Sequence, residues 1–250
     1  MNIKRKIADL LEVVTGARIV SPGALPFLFE QEHLTRFFRH FEVDCVFDVG
    51  ANAGQYADMI RSRCGYSGPI VSFEPIPDLA AAMKSRAGSN WFVEQMAITD
   101  APGEVAFNVA ADSQFSSMND PSEQPRFQSH SATLRTIKVP ASTLADQFEK
   151  YARLIGFRRP FLKMDTQGSD LVVARSAGTR LHEFVGIQSE LSFDPIYKSI
   201  PSAEQAIAFY RSQGFVLSAF VPNNEGHFPH LYEMDCILYR AHGRLGGQQA

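Results

Sequence analysis

Residues 45–60 read CVFDVGANAGQYADMI: a short apolar run carrying one acid, then Gly50, Asn52 and Gly54, then a segment with helical spacing. A run of strand formers that ends in small residues predicts a buried strand turning sharply into a helix that starts near Gln55. In an open parallel sheet the carboxyl end of such a strand borders a crevice, and ligands bind there. The helix that follows aims its free backbone amides at the same place. Gly50 and Gly54 are expected to let the backbone pass close to that ligand, because a Cβ would occupy its space.

The spacing argues against a dinucleotide. A pyrophosphate cradle needs G-x-G-x-x-G, and the position two past Gly50 is Asn52, whose side chain enters the space the second glycine must leave free. Asp48, at the strand's end, would repel a phosphate and suits a ligand with a positive group, such as an amino acid ammonium. Glu74 ends the next apolar run in VSFEP, twenty residues past Gly54, and a carboxylate there can accept both hydroxyls of a ribose. S-Adenosylmethionine combines an ammonium, a ribose and a carboxylate for the helix amides, and has no phosphate.

The rest of the chain bounds these readings. At 250 residues, with 45% hydrophobic and 20% charged positions, it is long enough for one sizeable core. A formal net charge of −3 argues against nucleic-acid binding through bulk positive charge. Cys45, Cys64 and Cys236 are few and widely spaced, which fits a reduced, cytoplasmic setting and neither a disulfide framework nor a zinc site. No apolar run approaches the ~20 residues of a membrane span. In the N-terminal stretch Ile7, Leu10, Leu11 and Val14 fall at helical spacing. They predict an amphipathic helix packed on the domain, with peripheral membrane contact as the competing reading.

Short apolar runs then alternate with helical segments: CVFDV, PIVSFE, NWFVEQMAI, PFLKMD and FVGIQSEL, with GFVLSAFV and YEMDCILYR closing one edge. This predicts an α/β fold with a mostly parallel seven-stranded sheet, helices on both faces and one antiparallel member. Around 100–140 two strand-like segments flank a polar stretch, a hairpin-like insertion of the sort that covers a site. The expected division is a helical extension over 1–40, a main domain over 41–240 and a disordered tail over 241–250. Phe27, Phe29, Phe37, Phe38 and Phe41 read as core.

VFDVGANAGQY, GPIVSFEP, FLKMDTQGSDL and GIQSELSFDPIY occur in the order seen in FkbM-type methyltransferases, and the chain resembles that family from about Asp44 to Arg240. KMDTQG is the most specific block; Ser169-Asp170 and STLAD depart from the usual pattern. The resemblance implies a Rossmann-like class I methyltransferase fold and methyl transfer from S-adenosylmethionine to oxygen, commonly a hydroxyl of a sugar, glycoconjugate or natural-product scaffold. It implies that Asp48, Gly50, Asn52 and Gly54 surround the methionine part, with Gln55 and Tyr56 on the helix that begins there. Glu74 would hold the ribose, Pro75 would shape the turn behind it, and Met96 and Ala97 would lie against adenine. Ser116 and Ser117 match a Ser-Ser pair in the family's insertion and would cover the site. Monomer and homodimer both stay open.

An alkyl hydroxyl needs a base or a metal to become a nucleophile. Asp165, directly after the fourth strand, is the leading candidate, beside Lys163 and Gln167. Glu190, ending the fifth strand, would be its neighbour, and the two carboxylates together offer hard ligands for Mg²⁺. His227 and His230, in the late loop NNEGHFPHLYEMD, are the candidate histidines. Two other classes compete: an NAD(P)-dependent oxidoreductase, and a binding module that keeps the fold without chemistry.

Overall fold

The computed structural model describes residues 14–15, 22–122, 131–198, 200–222 and 229–241. The expected N-terminal helix before Val14, the middle of the polar insertion, His227 and the C-terminal tail lie outside the described residues. A 3₁₀ turn at Pro22–Ala24 leads into α1 (Leu25–His40). The chain then alternates: β1 (Cys45–Val49), α2 (Gln55–Ser62), β2 (Ile70–Phe73), α3 (Pro77–Arg86) and β3 (Trp91–Glu94). After β4 (Ala97–Ile98) come β5 (Gly103–Ala110), β6 (Thr133–Ser142), α4 (Leu144–Ile155), β7 (Pro160–Met164), α5 (Asp170–Ser176) and β8 (Gly186–Ser192). The last elements are α6 (Ala203–Ser212), β9 (Phe215–Pro222) and β10 (Glu233–Arg240). No helix among the described residues is long and apolar enough to cross a membrane.

The main sheet has seven strands in the order β3-β2-β1-β7-β8-β10-β9. Only β10 runs antiparallel to its neighbours β8 and β9. This is a class I methyltransferase arrangement, and the strand order reverses between β1 and β7, the geometry that opens a crevice at the carboxyl ends.

Side chains alternate across this sheet. Cys45, Phe47 and Val49 face the layer of α4 and α5, with Phe148 and Phe184 packed on Phe47. Val46 and Phe161 face α1 and α2, where Phe37 and Phe38 stack edge-on against Phe161. The same alternation puts Asp48 on the α1 side, in register with Ser72 of β2 and Lys163 of β7. Lys163 is in register with Gln188 of β8, and Glu190 with Asp235 of β10. A polar row therefore crosses five strands, at the carboxyl ends of β2, β1, β7 and β8 and the amino end of β10, on the face that α1 covers.

The third run of the sequence does not form one strand. Trp91–Glu94 joins the main sheet beside β2. Ala97–Ile98 leaves it and pairs with β6 in a small sheet of order β4-β6-β5. The break at Gln95 and Met96 turns Met96 and Ala97 toward the crevice. β5 and β6 form the expected hairpin, with an irregularity at Val109/Ala110. The insertion folds back on this hairpin through reciprocal Asn108–Ser117 backbone bonds. It also reaches the loop after β8, where Ser122 N donates to Ile196 O at 2.7 Å.

Candidate active site

A cavity of about 440 Å³ lies at the carboxyl ends of β1, β2, β7 and β8 and the amino end of the antiparallel β10. Phe27 and Glu30 of α1 border it on one side, and Ser113, Phe115 and Ser116 of the insertion on another. Gly50, Asn52, Gln55 and Tyr56 line it from the first bend, Glu74 and Pro75 from the second, and Met96 and Ala97 from the break before β4.

The bend after β1 is built by glycines, for a reason the sequence did not disclose. Gly50 has φ +80°, and a Cβ there would sit 2.0 Å from the Asp165 carbonyl oxygen. Gly54 has φ +82° and opens α2; its Cβ would meet the Arg86 guanidinium at 2.7 Å and the Trp91 ring at 2.9 Å. Protein packed against protein therefore requires both glycines, and Gly50 also borders the cavity. Gly54 does not border the cavity. Asn52 adopts φ +49°, and its side-chain amide lies 3.2 Å from Ser113 Oγ, tying bend to insertion.

Glu74 connects the two bends. Its Oε2 accepts from Asn52 N at 2.7 Å and its Oε1 from Ile76 N at 2.8 Å. Each oxygen keeps a second lone pair, and the side chain borders the cavity. Burial pushes the Glu74 carboxyl up to about 7, opposed by those two backbone amides.

Asp48 lies beneath the cavity, not on its wall. It is fully buried, with Ser72 Oγ donating to Oδ2 at 3.1 Å and Lys163 Nζ 3.5 Å from Oδ1. Burial raises the Asp48 carboxyl, and Lys163 opposes that rise. Lys163 in turn stands 3.4 Å from Asp165 Oδ2 and lies over the Tyr56 ring. Burial works against its charge, but the carboxylates of Asp165 and Asp48 outweigh it and raise its pKa. Asp48 therefore supports the site through Lys163 and is not placed to touch a ligand.

Asp165 does face the cavity, with 45% of its side chain exposed. The KMDTQG turn fixes its surroundings. Gln167, at φ +52°, donates from Nε2 to Asp165 Oδ1 at 2.9 Å and to Glu190 Oε2 at 3.1 Å. Its Oε1 accepts from Tyr197 Oη at 2.8 Å, which sets the amide orientation. The space between the two carboxylates, where a shared Mg²⁺ was expected, is spanned by this amide. Among the described residues no group of three or more His, Cys, Asp or Glu is arranged to hold a metal. The Mg²⁺ expectation is corrected accordingly.

Ser116 borders the cavity, whereas Ser117 is buried behind it and donates to Gln167 O at 2.8 Å. Ser117 thus clamps the insertion to the KMDTQG turn. His230 is exposed, pairs with Asp194 at 3.0 Å and packs on Tyr232; it is not among the residues bordering the cavity.

A family profile described as "Methyltransferase FkbM domain" matches residues 48–217. The chain belongs to the FkbM methyltransferase family. Comparison with functionally curated proteins gives no match. Among solved structures, the methyltransferase FkbM of Methylobacillus flagellatus KT is 13% identical, with a TM-score of 0.46 over 79% of this chain and 43% of that one. The chain thus spans less than half the length of that relative. An O-methyltransferase from Bacillus cereus in complex with SAH is 9% identical, with a TM-score of 0.48 over 96% and 91% of the two chains. Fibrillarin from Aeropyrum pernix, with S-adenosyl-L-methionine bound, is 13% identical, with a TM-score of 0.42 over 78% and 66%.

Several residues of this FkbM family member were missed in the sequence. Asp170 is buried beneath the turn and accepts from Thr166 N, Thr166 Oγ1, Ser189 Oγ and Glu190 N. In the sequence it stood out only as a departure from the family's usual pattern. Phe27, assigned to the core, is half exposed and borders the cavity, because the first turns of α1 overhang the sheet. Glu30, Gln188, Glu233 and Asp235 also border it. For the last two a signal existed: acids at i and i+2 in YEMDCILYR share one face of an otherwise apolar strand.

Proposed function

We propose that this FkbM methyltransferase binds S-adenosylmethionine at the β1–β2 end of the cavity and methylates a hydroxyl of a sugar, glycoconjugate or natural-product scaffold. The observation that carries the proposal is Asp165. Its carboxylate is exposed to a ~440 Å³ cavity, within the range of small-molecule sites, and is held from below by Lys163 and from the side by Gln167.

The residues present fit the cofactor. Glu74 keeps free lone pairs facing the cavity, suited to ribose hydroxyls. Asn52 replaces the glycine a dinucleotide would need, and Met96, Ala97 and Ile98 give an apolar wall suited to a purine. When bound, the cofactor supplies a methyl group already activated by a positive sulfur.

What the chain must add is alignment and a place for the acceptor's proton. Positioning alone supplies roughly 7–11 kcal/mol in well-oriented reactions. Asp165 accepts the hydroxyl proton as the oxygen attacks. Lys163 and Gln167 hold its carboxylate in one orientation, and Ser117 holds the Gln167 backbone. Turnover with labelled methyl donor and a panel of hydroxylated acceptors tests the reading. Asp165→Asn is expected to lower the rate by about 10²–10⁴-fold while S-adenosylhomocysteine still binds. An unchanged rate removes Asp165 from the chemistry.

A further inference from the structure

The cavity is unevenly charged. Its β1–β2 end offers one carboxylate, Glu74, and an apolar wall. Its other end, formed by α1, β8 and β10, presents Glu30, Glu190, Glu233 and Asp235. Among the described residues Lys163 is the one lysine or arginine bordering the cavity, and it is already committed to Asp48 and Asp165.

The acids at this end are unequally satisfied. Gln188 Nε2 donates to Glu30 Oε1 and to Asp235 Oδ2, each at 2.8 Å. Glu190 accepts from Gln167. Glu233 is 5% exposed and borders the cavity, yet among the described residues its carboxylate has no hydrogen-bond or ion-pair partner. A buried, uncompensated carboxylate costs several kcal/mol unless it takes a proton or meets a cation. Burial and the repulsion of Asp165 and Asp235 push its carboxyl up to about 8, so in the empty cavity it keeps a proton at pH 7 that a bound cation would displace.

The cofactor does not meet this demand. β10 lies three strands from β1 in the sheet, ~14 Å at the usual strand spacing. An organic ammonium, by contrast, is satisfied by one or two carboxylates and neighbouring amide or hydroxyl oxygens.

We propose that the β8–β10 end of the cavity is the acceptor subsite, and that it selects an acceptor carrying a protonated amine beside its hydroxyl, with Glu233 as the amine's direct partner. Asp235 and Glu190 flank that position, and Glu30 closes it from α1. The substrate class is then an amino sugar, amino cyclitol or other hydroxylated amine. This inference rests on the methyl-transfer reading for the meaning of the subsite, but its test does not.

The test measures binding to the full chain, with and without S-adenosylhomocysteine, of 4-aminocyclohexanol and 2-amino-2-deoxyhexoses against their N-acetyl counterparts. The charged forms are expected to bind at least about tenfold more tightly than the neutral ones, about 1.4 kcal/mol. Glu233→Gln is expected to abolish that preference while S-adenosylhomocysteine affinity stays within about twofold. A second readout needs no variant: seating the charged amine on Glu233 ionises it, so binding at pH 7 releases protons, visible as a buffer-dependent enthalpy. Equal binding of charged and neutral forms, no binding of either at millimolar concentration, or binding without proton release overturns the proposal. If the amine preference is found but S-adenosylhomocysteine does not bind, the subsite stands and the methyl-transfer reading falls.

Discussion

Lys163→Met removes the cation from the centre of the sheet while nearly keeping its volume. In the native chain Lys163 Nζ is 3.5 Å from Asp48 Oδ1, an oxygen with no hydrogen-bond partner, in a carboxylate that is fully buried. At an effective dielectric constant of ~20, charges at that separation attract by about 5 kcal/mol. The measurable loss is set by leaving a buried charge uncompensated, about 3–5 kcal/mol. For a chain of this length that corresponds to ~6–20 °C in melting temperature.

The pH dependence has a definite sign. Burial already raises the Asp48 carboxyl and Lys163 opposes it, so without Lys163 it rises further. A folded pKa above the unfolded value means that Asp48 costs nothing below ~pH 4 and costs most above its folded pKa. The variant's deficit is therefore expected to be large at neutral pH and to shrink on acidification. Urea unfolding of wild type, Lys163→Met, Asp48→Asn and the double variant completes the cycle. The double variant is expected to recover at least half of the loss, because an apolar replacement for a buried pair is often neutral. A Lys163→Met deficit below about 1 kcal/mol, or one that grows toward low pH, refutes the reasoning.

Three further outcomes are expected. Gly50→Ala places a Cβ 2.0 Å from the Asp165 carbonyl at φ +80° and should destabilise by about 3 kcal/mol or more; Gly65→Ala, with a positive φ but nothing within 4 Å, should cost only about 1–2 kcal/mol, and equal unfolding curves for the two would remove the packing argument. Ribose hydroxyls donate best to an ionised Glu74, whose carboxyl is raised to about 7, so S-adenosylhomocysteine affinity should rise with pH through that value, and a flat titration from pH 6 to about 8.5 would contradict it. Exhaustive chelation should leave turnover intact, since Gln167 spans the Asp165–Glu190 gap; restoration of a lost rate by added Mg²⁺ would contradict that.

Much of the architecture was legible because buried parallel strands carry continuous apolar runs, and each of the seven main-sheet strands appears as one. NWFVEQMAI misled because a two-residue strand has no periodicity of its own; Ala97–Ile98 joins another sheet only through long-range pairing with Ala141 and Ser142. The bend after β1 was readable as a bend, but the cause of its glycines was not. Gly50 abuts the Asp165 backbone, more than a hundred residues away in sequence. Sequence separation likewise hides the Gln167–Tyr197 contact, 30 residues apart, and the Gln188–Glu30 contact, 158 apart. Asp165 and Glu190 were found because they end apolar runs. Glu30 was not, since an acid on a helix normally reads as solvated, and only the tertiary fold turns it into the cavity.

Calorimetric titration of the full chain with S-adenosylhomocysteine, alongside NAD⁺ and NADPH, bears most directly on the cavity at β1 and β2. Saturable single-site binding of the S-adenosyl compound, with no heat from either dinucleotide, is the expected result. Binding of a dinucleotide instead, or no binding of the S-adenosyl compound, would contradict the assignment of Asn52, Glu74 and the apolar wall at Met96 to that ligand.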